Sequence, residues 1–187
     1  RAATEAAAAI SARLAELDDA CGPRVRAGVS PHAPYTVGPA LWRALAARAD
    51  LGGRPWGTHL AESPHELRAV RDGGGALGEV LAAAGHVPGR WPAADGDEGA
   101  EGVVPRLDGA GALRPGMVAA HCVEVGAGDA GVLAARGVAV AHCPRSNAHL
   151  RCGRAPLEEL RAAGVAVALG TDSAASGGDH DPRAEAR

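Results

Sequence analysis

Short apolar runs recur along the chain, with room for one helix between each run and the next. MVAAH (117–121), VAVAH (138–142) and VAVAL (165–169) are too short for helices and carry apolar side chains at consecutive positions. Such runs suit strands buried on both faces, as in a parallel sheet. Residues 129–136 and 156–163 read as the intervening helices. Upstream, RVRAGVS (24–30) and PWGTH (55–59) read as strands, and residues 3–17, 39–50, 64–71 and 76–84 as helices. Ser63 with Glu66 three residues later has the form of a capping box at the start of the 64–71 helix. Strict alternation of strand and helix predicts an α/β fold.

The rhythm is interrupted at residues 73–116, which are rich in Gly and Pro and hold an acidic patch from Asp95 to Glu101. Apart from the 76–84 helix, this stretch reads as a long surface excursion at about 85–116. Five strands are visible, whereas a complete eight-stranded barrel needs about 250 residues. If the fold is such a barrel, the chain is a partial (β/α)8 TIM barrel, roughly strands four to eight, with residues 1–187 forming the C-terminal-side part of a single domain. About three strands and their helices would then lie upstream.

Composition narrows the partners. A net charge of -3 and the absence of a basic stripe give no electrostatic case for nucleic acid. No apolar run approaches the roughly 18 residues of a membrane span. The four cysteines, Cys21, Cys122, Cys143 and Cys152, form no C-x-x-C pair and read as reduced thiols of a cytoplasmic protein. All 19 basic residues are Arg, and the chain has no lysine.

The chemistry collects at strand ends. The five strands lead into His32, His59, His121, His142 and Asp172 in turn. In an α/β barrel those ends form the mouth of the active site, so five such side chains would line one bowl. Imidazole and carboxylate are the usual ligands of zinc or iron, and His59 with Asp172 is the pair expected to hold a metal. Glu62, three residues after His59, is placed to reach the same bowl without ligating, free for proton transfer.

SPHAPYT (30–36), THLAESPHE (58–66), AHCVEV (120–125), AHCPRSNAHLRCGRAP (141–156) and ALGTDSAAS (168–176) together resemble the amidohydrolase superfamily. The branch they resemble holds the S-adenosylhomocysteine, methylthioadenosine and aminofutalosine deaminases, with chlorohydrolase-like proteins nearby. The resemblance implies that His59 is a metal ligand after the fifth barrel strand. It makes Asp172 a ligand that also takes a proton from water. Glu62 becomes the carrier of a proton to the ring nitrogen, and His121 the group that polarises the attacking water. It places His32, Glu62, His142, Arg145 and Asn147 against substrate, with Ser146 in the same seventh-strand loop and Asn147 bracing the site. Arg145 could equally bind a substrate carboxylate or brace its own loop.

The family's first-strand His-x-His pair has no counterpart here, and a bridging lysine is ruled out by composition. The expectation is thus one divalent metal, zinc ahead of iron, with two protein ligands in this chain. The implied reaction is hydrolytic deamination of an adenosine-like nucleoside: aminofutalosine, adenosine or S-adenosylhomocysteine. Alternatives are hydrolysis of another amino- or chloro-substituted heterocycle, such as guanine or a triazine, and an inactive truncated remnant. The expected partner is a small-molecule substrate, with neither nucleic acid nor membrane; a homo-oligomer stays open. Cys122 and Cys143 read as small buried thiols and Trp42, Trp56 and Trp91 as packing residues. His65, His86, His149 and His180 read as surface or loop residues.

Overall fold

The computed structural model describes residues 1–86, 91, 102–126 and 128–187. Four parallel strands form one sheet in chain order: β1 (Trp56–Leu60), β2 (Met117–His121), β3 (Ala139–His142) and β4 (Val167–Leu169). The register pairs Leu60 with His121, Ala120 with Ala141, and His142 with Leu169. The parallel pairing brings the C-terminal strand ends to one edge of the sheet, and the chemistry-bearing residues with them.

Helices carry every crossover. α1 (Ala2–Cys21) and α2 (Pro39–Ala46) precede the sheet. α3 (Pro64–Asp72), α4 (Gly75–Ala83) and α5 (Val103–Gly109) lie between β1 and β2, and α6 (Asp129–Ala135) between β2 and β3. α7 (Pro144–His149) and α8 (Leu157–Ala162) join β3 to β4; α9 (Ala174–Gly177) and α10 (Pro182–Glu185) follow. No helix among the described residues is long and apolar enough to cross a membrane.

The core lies where the alternating positions Trp56, Leu60, Met117, Ala119 and Val140 meet Val70, Leu107, Leu133 and Leu160 from the helices. The expectation of strands buried on both faces holds for one face of β1, β2 and β3 and fails for β4, where Ala168 and Leu169 are exposed. His59 and Ala120 are half-buried and Val118 is 43% exposed. The helix-covered face satisfies the apolar demand of the strands, and the Ala and Gly on the other side add little to it.

Four further expectations are corrected. Residues 24–30 are not a strand: Val29 alone makes a parallel bridge, to Trp56, although Val29 N–H donates to the Pro55 carbonyl and Gly57 N–H to the Val29 carbonyl. Arg24, Val25 and Arg26 face solvent, so alternation fails there, and Pro31 removes a donor. Gly28 is required at this contact, because a Cβ would stand 2.6 Å from the Pro55 carbonyl oxygen. The 39–50 helix breaks at Arg48, which is extended and pairs with Asp50 at 2.9 Å; a 3-10 turn, Ala49–Leu51, then buries Leu51.

The 85–116 excursion is not all surface. Val103, Val104, Leu107, Ala112 and Leu113 are buried, and Arg106 donates to the Trp91 carbonyl at 2.8 Å. A seven-residue helix with an internal proline is too short for periodicity to betray it. The acidic 95–101 patch lies outside the described residues. The seventh-strand loop contains the short helix α7.

The packing residues fall where composition placed them. Trp42, Trp56 and Trp91 are buried, as are Cys122, Cys143 and Cys152; all four cysteines are free thiols. His65, His149 and His180 are exposed and His86 is half-buried.

Candidate active site

At or shortly after the C-terminal ends of β1, β2 and β4 the chain bends sharply. Ala61, His121, Cys122 and Asp172 all have positive φ, between 49° and 71°, without being glycine. Each such residue costs about 1–3 kcal/mol, and they persist only where surrounding contacts over-determine them. Here they turn the chain over the C-terminal edge of the sheet and aim side chains into one space.

His59, His121 and Asp172 meet there. One ligand-capable atom from each lies within 4.8 Å of the others. The rings of His59 and His121 stack with centroids 5.4 Å apart, and His32 lies beyond, 4.9 Å from His59. His121 is fully buried; His59 and Asp172 are half-buried. Sequence reasoning paired His59 with Asp172 and gave His121 to water; the fold puts a His121 nitrogen at the same point.

Hydrogen bonds fix the tautomers. His59 Nδ1 lies 2.9 Å from the His32 carbonyl, which only accepts, so Nδ1 carries a proton and, in the neutral ring, Nε2 has the lone pair. His121 Nδ1 lies 2.8 Å from Asn147 Oδ1, with the same consequence. His121 Nε2 is then a buried lone pair with no hydrogen-bond partner among the described residues. A buried acceptor left unpaired is costly, and a water held by a cation at the common point would satisfy it. A histidine holding its outer N–H on a fixed acceptor is the arrangement that orients metal ligands. The donor set, two neutral imidazoles and one carboxylate, suits zinc or iron.

The carboxylates differ in environment. Burial would push Asp172 up, but Ser146 and Ser176 donate to its Oδ2 at 2.5 and 2.8 Å and hold it below the usual carboxylate range. It therefore stays ionised. Glu62 Oε1 stands 3.8 Å from His121 Nε2, and the Cys152 thiol donates to the same oxygen at 4.0 Å. Behind Glu62, Glu66 is fully buried, and burial raises its carboxyl to about 7. The capping box takes an altered form. Ser63 makes no side-chain cap, and Glu66 accepts from Glu62 N–H at 2.7 Å.

The remaining predicted residues split. His32 is exposed at the rim, its Nδ1 2.8 Å from Thr36 Oγ1, with Tyr35 edge-on at 5.7 Å. Asn147 is buried behind His121. Arg145 turns to Asp179 at 2.6 Å and Glu185 at 3.7 Å, tying α7 to the segment after β4. His142 is buried, and burial, with the Arg154 charge beside it, holds it below its usual value. Its imidazole makes no hydrogen bond to His59, His121 or Asp172. Sequence reasoning missed Ser176, Cys152 and the contact from Glu66. Ser176 sits in the quoted ALGTDSAAS motif, but nothing in spacing marks it as a donor.

Comparisons with known proteins bear on the family and the fold. An aminodeoxyfutalosine deaminase of Deinococcus radiodurans is 42% identical over 83% of this chain and 37% of its own length. A 5-methylthioadenosine/S-adenosylhomocysteine deaminase of Pelotomaculum thermopropionicum is 37% identical over 88% of this chain and 32% of its own. The chain thus spans roughly a third of the length of these curated relatives. Among solved structures, a zinc-bound adenosine deaminase from Xanthomonas campestris superposes with a TM-score of 0.69 at 31% identity, covering 93% of this chain and 34% of that one. Helicobacter pylori aminofutalosine deaminase superposes at 0.70 with 21% identity, over 92% and 42% of the two chains, a likeness of fold. The four-stranded parallel sheet is accordingly part of an α/β barrel. Residues 3–181 match the amidohydrolase family, and the chain belongs to that family.

Proposed function

We propose that this chain carries part of the active site of a metal-dependent aminohydrolase that deaminates the adenine ring of a nucleoside. One observation carries the reading: His59, His121 and Asp172 offer ligand atoms within 4.8 Å of one another, and Glu62 flanks them 3.8 Å from His121 Nε2. His59 Nε2 and Asp172 would hold one divalent cation, zinc ahead of iron, with His121 Nε2 facing the same point. The bound cation supplies the Lewis acidity that makes a water nucleophilic near neutral pH. Asp172, kept anionic by its two serine donors, takes a proton from that water. His121 orients the water through Nε2, because Asn147 fixes its other nitrogen. As the water oxygen bonds to the ring carbon, Glu62 would deliver a proton to the adjacent ring nitrogen. Asp172 would then pass the water's proton to the amino group, the carbon–nitrogen bond would break with loss of ammonia, and the new hydroxyl's proton would restore Glu62. His32 and Tyr35 line the rim where the nucleoside would enter.

The relatives named above support an adenine nucleoside over guanine or a chlorinated triazine, and aminofutalosine leads the candidates. The test uses the full-length protein. Metal content is measured, then ammonia release from aminofutalosine, adenosine, S-adenosylhomocysteine, methylthioadenosine and guanine. Release from an adenine nucleoside at one metal per chain is expected. Full metal loading with release from none of them, or from guanine alone, would overturn the reading.

A further inference from the structure

Glu62 needs a fixed launch point, and the peptide group joining Ala61 to Glu62 is held at both ends. Its carbonyl oxygen, on Ala61, accepts from the backbone N–H groups of Val123 and Glu124, each at 2.8 Å. Its N–H, on Glu62, donates to Glu66 Oε2 at 2.7 Å. The two clamps come from different places: the turn after β2, which also carries His121, and the first turn of α3. Ala61 is left-handed, with φ 50°, a conformation that an alanine holds only under constraint. Glu66 is 0% exposed, and its Oε1 has no partner among the described residues. A fully buried carboxyl with one oxygen engaged only by a backbone N–H is an expensive way to cap a nine-residue helix. Ser63, the residue placed to cap that helix, makes no such bond.

We infer that Glu66 is a positioning residue: its carboxyl locks the Ala61–Glu62 peptide plane and thereby holds the Glu62 side chain beside His121 Nε2. The inference rests on the reading of Glu62 as the proton carrier. Its requirement is an acceptor oxygen at that place, not a negative charge. Burial raises the Glu66 carboxyl to about 7, so part of the population is neutral under ordinary conditions, and the carbonyl oxygen of a neutral carboxyl still accepts.

Three variants of the full-length protein separate the possibilities. Glu66→Gln keeps an acceptor oxygen at the same reach; Glu66→Asp is one methylene shorter; Glu66→Leu offers no acceptor. Glu66→Gln should retain kcat within about threefold. Glu66→Asp should lose on the order of 10- to 100-fold in kcat with KM nearly unchanged, as expected when an oriented proton-transfer group slips. If Glu66→Leu does not fold, the Asp and Gln pair decides the matter.

A crystal structure of Glu66→Asp gives a readout independent of activity. The Ala61–Glu62 peptide should be rotated and Glu62 Oε1 withdrawn from His121 Nε2. An unmoved Glu62 in that structure would overturn the inference, as would Glu66→Gln being as impaired as Glu66→Asp. Failure of the wild-type protein to deaminate anything would instead count against the proposed function, leaving the peptide geometry to be judged from the variant structure.

Discussion

Asn147 Oδ1 lies 2.8 Å from His121 Nδ1, and that one contact determines which nitrogen of His121 faces the site. Replacing Asn147 by Leu removes the acceptor at similar volume, so either ring nitrogen of His121 can then carry the proton. Loss of such a partner costs on the order of 10- to 100-fold in activity or metal affinity. The Asn147→Leu protein should show that loss in kcat/KM, measured on the best nucleoside, with its circular dichroism spectrum unchanged. Undiminished kcat/KM would remove Asn147 from the account.

Glu62→Gln keeps size and polarity but cannot carry a proton. Acid–base groups of this kind contribute about 10²–10⁴-fold. The variant should lose kcat by that factor while binding metal as the wild type does, as read by elemental analysis of the dialysed protein. Retained turnover would mean that the proton travels by another route.

The folded state keeps Glu66 protonated to a higher pH than the unfolded chain does, because burial raises its carboxyl from 4.5 to about 7. Between those values the native state binds more protons, so this group's stabilising contribution is intact below about pH 4.5 and is lost as pH rises through about 7. The loss is on the order of 3 kcal/mol. The stability of wild type relative to Glu66→Gln should therefore fall between pH 5 and pH 8 in urea titrations. A difference independent of pH would contradict the buried, protonatable state of Glu66.

Leu107 belongs to α5 and is 0% exposed. If residues 102–113 are core, Leu107→Ala should destabilise by about 2–5 kcal/mol. A change under about 0.5 kcal/mol, typical of surface positions, would show that this stretch is peripheral.

The parts of the fold legible in the sequence are those where one local signal suffices. The runs at 117–121 and 138–142 are apolar at nearly every position and form strands at or within one residue of those bounds. His59, His121 and Asp172 could be brought together on paper because parallel strands share one C-terminal edge. Where two signals compete, the reading fails. Arg24 and Arg26 break the alternation before Val29, yet backbone bonds to Pro55 and Gly57 still align that segment with β1. Pro105 hides the helix from Val103 to Gly109. The left-handed turns at Ala61, His121 and Asp172 are not glycines, so no composition rule announces them. They aim the site residues, which is why the His121 nitrogen beside His59 and Asp172, and the Glu66 contact to Glu62 N–H, emerge only in three dimensions.

The central claim is that one cation sits where His59 and Asp172 converge. Anomalous diffraction at the zinc absorption edge, from crystals of the full-length protein grown with zinc, tests it directly. The account predicts a single strong peak about 2.0–2.2 Å from both His59 Nε2 and an Asp172 oxygen, with His121 Nε2 turned toward it. A peak elsewhere with that space empty, or zinc bound at exposed histidines such as His149 alone, would contradict it.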